Sequence, residues 1–189
     1  MTPKSYQLNG AFTVIFLLDN LQSPTRIGYL KRAGWKKIAP NWLTGIGGHI
    51  EHGETAHFSA LREMQEEIGI DNLPLTEFAQ AILPQEEKSL HYFFGIYPHK
   101  NLPECNEGSY AWESIGNIPE NIIGSTYHLL NQWQSHNWNL KARFTSIIKI
   151  LNIVNGDISL NNRVPIKTYE KLIIPADYKY FDGPPIFLP

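Results

Sequence analysis

Runs of apolar residues mark the predicted strands of this chain. Residues 11–18 read AFTVIFLL, a continuous apolar run rich in β-branched and aromatic side chains, which is typical of a buried strand. Residues 90–97 read LHYFFGIY and are similarly dense in aromatic side chains. The same reasoning predicts strands over residues 26–31, 76–83 and 109–113. These runs together predict a sheet whose strands are spread along most of the chain.

Two further segments have the apolar spacing of helices. Over residues 55–68 the apolar positions recur three or four residues apart, and Gly69 provides a C-terminal cap. A second helix is predicted over residues 119–135, with apolar positions from Ile122 to Trp133. Strands interleaved with two helices predict an α/β fold in which a mixed sheet is covered on both faces.

The C-terminal part of the chain is predicted to be an extension, residues 137–189, that follows a domain of residues 1–136. Residues 143–154, RFTSIIKILNIV, are interpreted as a largely buried helix, and residues 164–175 as a hairpin pair of strands. The chain end, KYFDGPPIFLP, is too apolar for a free tail. We expect the extension to pack on the domain, with contacts in a homodimer as the alternative.

Composition and charge narrow the class of protein. The chain has 189 residues, of which 42% are hydrophobic, and a net charge of −2. A net charge this close to zero does not predict the basic surface with which proteins bind a nucleic acid polymer or an anionic membrane. No apolar run approaches the roughly 18 residues of a membrane span, and the start, MTPKSYQLNG, lacks a signal-peptide pattern, so a cytoplasmic location is expected. The lone cysteine, Cys105, excludes an internal disulfide and is expected to be an inert loop thiol.

Acidic residues cluster in residues 48–70, which read GHIEHGETAHFSALREMQEEIGI. In a helix, Glu63, Glu66 and Glu67 converge on one side while Glu54 lies over the first turn. Clustered carboxylates repel one another and are stable mainly when a hard divalent cation neutralises them, and Mg²⁺ is the usual partner of oxygen ligands. The sequence therefore predicts a magnesium site on this helix.

The same segment resembles the Nudix box, G-x5-E-x7-R-E-U-x-E-E-x-G-U, where U is an apolar residue. The matching residues are Gly48, Glu54, Arg62, Glu63, Met64, Glu66, Glu67, Gly69 and Ile70. A chance match has a probability of roughly 10⁻⁷, so a merely solvated acidic helix face is the poorer explanation. The chain is similar to Nudix hydrolases over residues 8–135, and this resemblance implies the α/β/α sandwich of that family.

The resemblance also implies a chemistry. It implies hydrolysis that depends on Mg²⁺, with Mn²⁺ as a substitute, in which water attacks a phosphorus atom of a diphosphate bridge. Glu63, Glu66 and Glu67 would be the metal-facing acids, with Glu63 acting either as a ligand or as the base. The backbone carbonyl of Gly47 or Gly48 would add a metal ligand, because glycine lets the backbone approach closely.

Three other positions have implied roles at this site. Arg62 would hold the glutamates in orientation through charge-assisted hydrogen bonds. Glu54 is fixed by the box, with stabilisation of the helix dipole as its alternative role. Glu107 falls where some family members recruit a further metal-binding glutamate, although Glu104 and Glu113 compete for this role and an ordinary solvated loop residue is the alternative.

The resemblance implies a small-molecule nucleotide as the substrate. The run WLTGIGGHIEHGET resembles the branch of the family that hydrolyses nucleoside triphosphates, including oxidised ones such as 8-oxo-dGTP, and this resemblance implies a nucleoside monophosphate and pyrophosphate as products. ADP-ribose or a nucleotide sugar is the alternative substrate. A Nudix module that binds a nucleotide without cleaving it is the second alternative, which the complete set of box acids disfavours.

Overall fold

The computed structural model describes residues 9–37, 39–83, 86–150 and 169–173. In chain order the elements of these residues are β1 (Gly10–Leu18), β2 (Arg26–Arg32), β3 (Leu43–Thr44), α1 (Ala56–Ile68), β4 (Leu75–Leu83), β5 (Lys88–Ile96), β6 (Gly108–Ser114), α2 (Gly124–Ser135), β7 (Phe144–Ile150) and β8 (Tyr169–Ile173). The strands and helices predicted before residue 136 are confirmed, with ends that shift by a few residues. Neither helix in these segments has the length and apolar character needed to cross a membrane.

The strands form one mixed sheet in the order β3-β2-β1-β5-β4-β7-β8, with β6 paired to β2. β1 and β5 are parallel along their whole length, from Gly10 opposite Lys88 to Leu18 opposite Ile96. β4 and β7 are also parallel, whereas the other strand pairs are antiparallel. Parallel strands are normally covered on both faces, which accounts for the continuous apolar run in β1.

The two helices cover opposite faces of the sheet, and each closes an apolar core of its own. Neighbouring residues of β1 separate the two cores, because Phe16 packs on the α2 side and Ile15 on the α1 side. On the α2 side Trp133 stacks on Phe78 with ring centroids 4.1 Å apart. On the α1 side Met64 is fully buried against the sheet. The α/β/α sandwich is therefore confirmed.

β1 and β2 separate part of the way along their length, and this separation shapes the site. They pair at Leu18 and Ile27, after which β3 pairs with the continuing part of β2. The chain that follows β3 runs antiparallel along β1. There the Thr13 N–H donates to the Gly48 carbonyl oxygen at 2.9 Å. Gly47 and Gly48 are thus held against β1, shortly before the start of α1.

The helix predicted over residues 143–154 is wrong, because Phe144–Ile150 is strand β7. Periodicity alone does not distinguish a buried strand from a buried helix in a segment this short, and FTSIIKI is rich in β-branched residues, which favour a strand. β7 extends the sheet by pairing with β4, and β8 pairs with β7. The rest of the hairpin predicted over residues 164–175, and the apolar chain end, lie outside the described residues. The division of the chain at residues 136 and 137 stays a prediction.

Candidate active site

Caps at both ends fix the position of α1. At its start the Thr55 hydroxyl oxygen accepts a hydrogen bond from the Phe58 N–H at 3.2 Å. At its end Gly69 has a φ of 67°, the left-handed conformation that commonly terminates a helix. Between these caps Glu63 and Glu67 are one turn apart and lie on the same face. The caps therefore determine where both carboxylates stand relative to the sheet.

Arg62 gathers the acidic side chains at the rim of α1. Its guanidinium donates to Glu54 at 2.9 and 3.1 Å, to Glu63 at 2.8 Å and to Glu66 at 3.0 Å. It also donates to the His49 carbonyl oxygen at 2.9 Å, which ties the preceding loop to the helix. The hydrogen bond from Arg62 is the main cause that lowers the pKa of Glu54 to about 2. The carboxylates in turn raise the pKa of Arg62, with Glu54 as the largest cause.

Glu63 is buried against the backbone of Gly48. The residue is 9% exposed, and a Cβ atom at position 48 would overlap its carboxylate. Glycine at position 48 therefore leaves the space that the carboxylate occupies. Burial raises the pKa of Glu63, although the hydrogen bond from Arg62 opposes this shift.

Glu67 lies one turn further along α1 and is partly buried. The Gly47 N–H donates to its carboxylate, and the Cys105 thiol does so with a sulfur–oxygen distance of 3.8 Å. Burial, followed by the nearby charge of Glu63, raises the pKa of Glu67 to about 7. Burial and the charge of Glu67 raise the pKa of Cys105 to about 12, so the thiol is protonated near neutral pH.

A cavity of about 410 Å³ opens beside these carboxylates. Glu63, Glu67 and Glu107 line its acidic end, and Phe12 and Leu90 line an apolar part on the sheet. At the far end the lining is polar again and consists of Glu86, Lys88, Tyr92, Ser125 and Thr126. A cavity of this size accommodates one small ligand.

Glu107 is the candidate loop glutamate that reaches the cavity. It forms an ion pair with Lys36 and lines the acidic end together with Glu67. Glu104 and Glu113 are exposed and do not line this cavity. From the sequence, all three glutamates were candidates for the further metal-binding position. In the structure only Glu107, of these three, lines the cavity.

The predicted metal-facing acids do not all point the same way. Glu63 and Glu67 face the cavity, whereas the Glu66 side chain is 58% exposed and bound to Arg62. Within the part of the chain that the structure describes, no three His, Cys, Asp or Glu side chains are already arranged as a cation site. Two neighbouring carboxylates, Glu63 and Glu67, whose pKa values are both raised by burial nevertheless fit a divalent cation with a preference for oxygen, because the cation would neutralise both.

The sequence did not predict the far end of the cavity. Its polar residues come from the β4–β5 connection, from β5 and from the first turn of α2, and no motif spacing links these segments. One feature of the sequence does indicate part of this lining. Every second residue of a strand lies on the same face of the sheet, which places Lys88, Leu90 and Tyr92 together. The contribution of Ser125 and Thr126 depends on the packing of α2, which no local pattern specifies.

Comparisons with known proteins give a family match and weaker individual similarities. The family model described as the NUDIX domain matches residues 9–131. Dihydroneopterin triphosphate diphosphatase of Escherichia coli (strain K12) is 27% identical over 95 residues, which make up 50% of this chain and 61% of that protein. The chain thus spans about 61% of the length of the curated relatives that it matches.

Solved structures show a similar fold. The crystal structure of a NUDIX hydrolase from Nitrosomonas europaea has a TM-score of 0.60 at 19% identity, covering 77% of this chain and 81% of that chain. The structure of the E. coli dihydroneopterin triphosphate pyrophosphohydrolase has a TM-score of 0.53 at 20% identity, covering 70% and 99% of the two chains. At these identities the similarity is one of fold.

Proposed function

The chain belongs to the NUDIX family, and from this premise we propose that it is a metal-dependent hydrolase that cleaves a diphosphate bridge in a small nucleotide-like compound. The observation that carries the proposal is the pair of carboxylates, Glu63 and Glu67, at one end of a cavity of about 410 Å³. Burying two acids side by side is unfavourable unless a cation compensates their charge. A bound cation would also draw the phosphates of a substrate to this end of the cavity.

Four glutamates are proposed to hold the cation. Glu63 and Glu67 already face the cavity, and Glu107 lines the same end, where it is paired with Lys36. Glu66 would join them by exchanging its contact with Arg62 for the cation. The oxygen-only donor set suits Mg²⁺, with Mn²⁺ as a substitute. When bound, the metal supplies Lewis-acid polarisation of the phosphate oxygens.

A backbone carbonyl is proposed as a further ligand, and the hydrogen bonds favour one of the two candidates. The Gly48 carbonyl oxygen accepts a hydrogen bond from the Thr13 N–H at 2.9 Å. We therefore assign the ligand role to the Gly47 carbonyl. Arg62 would act as a positioning residue, because it fixes the orientation of the Glu63 carboxylate at 2.8 Å.

The proposed reaction is attack of water on phosphorus, in which Glu63 would either hold the cation or, through a carboxylate oxygen not bound to it, accept the proton of that water. No covalent intermediate is needed, because the protein contributes mainly position and electrostatic stabilisation in such reactions.

We propose a triphosphate with one ring system as the substrate, giving a monophosphate and pyrophosphate. The cavity of about 410 Å³ has room for one small ligand, and a matched relative carries the name dihydroneopterin triphosphate diphosphatase. The first compounds to test are therefore nucleoside triphosphates, including 8-oxo-dGTP, and dihydroneopterin triphosphate. ADP-ribose and nucleotide sugars carry a second bulky group on the diphosphate and come next.

The test is product formation with Mg²⁺ across a panel of these compounds, with chromatographic identification of the products. A monophosphate and pyrophosphate from one triphosphate would support the proposal. Cleavage of ADP-ribose or a nucleotide sugar instead would support the alternative substrate class. Binding of nucleotides with no turnover of any compound would contradict hydrolysis and favour a module that only binds.

The acids are tested by glutamine substitutions in the same assay. We expect E63Q, E66Q and E67Q each to lower kcat/KM by roughly a hundredfold or more, because even residues that only support a metal ligand cost 10- to 100-fold. E104Q removes the same charge from an exposed residue outside the cavity and should retain activity. Undiminished hydrolysis by E67Q would remove this carboxylate from the mechanism.

A further inference from the structure

The far end of the cavity holds a group of polar side chains that the proposed hydrolysis does not use. We define this polar cluster as Glu86, Tyr92, Ser125 and Thr126, which all line the cavity. Tyr92 is fully buried, and its hydroxyl donates to the Ser125 Oγ at 3.3 Å and lies 3.5 Å from the Thr126 Oγ1. Three members of the polar cluster, Tyr92, Ser125 and Thr126, are therefore buried and joined through the Tyr92 hydroxyl.

β1 separates the polar cluster from the glutamates of α1. The segment that contains Gly47 runs along one edge of β1, and β5, which carries Tyr92, pairs along the other edge. Two strand spacings, about 10 Å, therefore lie between these two segments. A compound with phosphates at Glu63 and Glu67 could place a ring at the polar cluster with a sugar or short side chain between them.

The part of the cavity between the two ends offers a surface for a flat ring. Phe12 pairs in register with Leu90, as Val14 does with Tyr92, so these side chains share one face of the sheet. Phe12 is partly exposed and lines the cavity. An aromatic side chain in this position can stack on a heterocycle.

Glu86 places a carboxylate beside the polar groups of the cluster. Its Oε2 lies 3.5 Å from the Lys88 Nζ, and its side chain is 14% exposed. Burial raises the pKa of Tyr92 to about 12, with the charge of Glu86 as a further cause, so this charge acts on the Tyr92 hydroxyl. A carboxylate offers two acceptor oxygens, whereas the three hydroxyl groups of the cluster can donate as well as accept.

We propose that the polar cluster binds the edge of a ring that carries two adjacent N–H donors next to a carbonyl, as guanine and pterins do. The two oxygens of Glu86 would accept from the ring N–H and the neighbouring amino group. The Ser125 Oγ accepts from Tyr92 and has its own hydrogen to donate to the ring carbonyl. Adenine has an acceptor in place of the ring N–H, so one oxygen of Glu86 would stay unpaired.

This inference rests on the proposed function, because it identifies the ring of the compound whose phosphates lie at the glutamates of α1. Its test uses equilibrium binding of monophosphates in the presence of Mg²⁺, and because these compounds have no diphosphate bridge the test does not depend on turnover. GMP, IMP and AMP are titrated by calorimetry, since IMP has the ring N–H of GMP but lacks its amino group. We expect affinity to fall in that order, with GMP preferred to AMP by roughly 5- to 150-fold. Neopterin, which has the same ring edge, should compete with GMP.

Variants test whether the polar cluster causes the preference for GMP over AMP. E86Q should remove most of the preference for GMP, because an amide presents a donor where the ring also has a donor. E87Q is the matched control, since Glu87 is exposed, lies outside the cavity and bonds to Asn9. S125A is a second variant that should weaken GMP and IMP more than AMP. The thermal unfolding midpoint of each variant is measured to check that the fold is retained.

The outcomes separate this inference from the proposed hydrolysis. Equal affinity for the three monophosphates, no detectable binding of GMP at millimolar concentration, or an unchanged preference in E86Q would overturn the role of the cluster, even if hydrolysis were observed. A preference for GMP that E86Q abolishes, in a protein that hydrolyses none of the panel, would support ring recognition and contradict the proposed hydrolysis.

Discussion

At the scale of single residues, Arg62 makes a set of contacts that a lysine could not reproduce. Its guanidinium reaches three carboxylates and the His49 carbonyl at distances of 2.8 to 3.1 Å. A planar group with five donors can serve several acceptors at once, whereas an ammonium acts as a compact point charge. Arg62 therefore holds the acids in place in the absence of any cation.

We expect R62K to lower kcat/KM by roughly 10- to 100-fold while the protein remains folded, because the glutamates lose their common support. Steady-state kinetics on the substrate found in the panel, together with thermal unfolding, measure both effects. R26K is the matched control, since Arg26 pairs with Asp19 at 3.2 Å and does not line the cavity. Full activity of R62K would contradict a positioning role.

Asp19 is a second residue with dense contacts, at the turn between β1 and β2. Its carboxylate accepts from the N–H groups of Thr25 and Arg26 at 2.9 and 3.0 Å, and from the Thr25 hydroxyl at 2.7 Å. Burial alone would raise the pKa of Asp19, but these hydrogen bonds lower it to about 2. The ionised form is therefore favoured in the folded protein.

This lowered pKa predicts a pH dependence of stability. The unfolded value is about 3.9, so ionised Asp19 stabilises the fold above about pH 4, and this contribution is lost as the pH falls towards 2. D19N should lower the free energy of unfolding at pH 7 by on the order of 1 kcal/mol, after allowance for solvent screening, and have little effect near pH 2. Urea denaturation over this pH range is the measurement, with the exposed D71N as control. An effect of D19N that is the same at every pH would contradict this assignment.

At the scale of elements, α1 could be predicted from the sequence because local chemistry sets both its ends. Thr55 bonds to Phe58 three residues later, and Gly69 adopts the left-handed conformation that few other residues tolerate. Interactions over three or four residues leave a periodic pattern in the sequence. The helix and the box acids on it were accessible to sequence reasoning for this reason.

The cap at Gly69 gives a prediction for the stability of α1. G69A should lower the free energy of unfolding by about 1 kcal/mol, because a Cβ atom is strained at a φ of 67°. Chemical denaturation monitored by circular dichroism measures the change. G116A is the matched control. A Cβ atom at position 116 would meet only the Ser114 hydroxyl oxygen, at 3.8 Å, and the backbone of Gly116 is not in the left-handed region. Equal stability of G69A and the wild type would argue against the strain.

The elements that sequence reasoning missed depend on distant partners. The local sequence of β7 is compatible with a helix or a strand. Its pairing with β4, more than sixty residues earlier in the chain, determines that it is a strand. Ser125 and Thr126 become part of the cavity only because α2 packs over Tyr92 of β5. Glu107 was accessible only through the family resemblance, since its ion pair with Lys36 joins separate loops. Long-range packing of this kind leaves no periodic signal in the sequence.

At the scale of the whole molecule, β7 belongs to the same core as the rest of the α2 side. Ile148 is fully buried in the apolar cluster that contains Trp133 and Phe78. The Ser146 hydroxyl donates to the Gln132 side-chain oxygen of α2 at 3.2 Å. β7 therefore links the sheet to α2 through both apolar and polar contacts.

We expect I148A to destabilise the entire protein by roughly 2–4 kcal/mol, because it opens a cavity in a shared core. Calorimetry should show one unfolding transition at a lower temperature. L21A removes an apolar side chain that is 56% exposed and should leave the transition almost unchanged. A separate low-temperature transition, with the main one unshifted, would mean that β7 folds independently of the domain.

The parallel pairing of β1 with β5 has a consequence for synthesis on the ribosome. The two strands lie far apart in the sequence, since Gly10 of β1 pairs with Lys88 of β5. The helix α1 and its glutamates come between these two strands in the sequence. Contacts between distant residues form slowly, because the entropy of closing a long loop opposes them. A nascent chain therefore displays the acidic helix before β5 has emerged, and the floor of the cavity is completed only once that last partner of β1 is available.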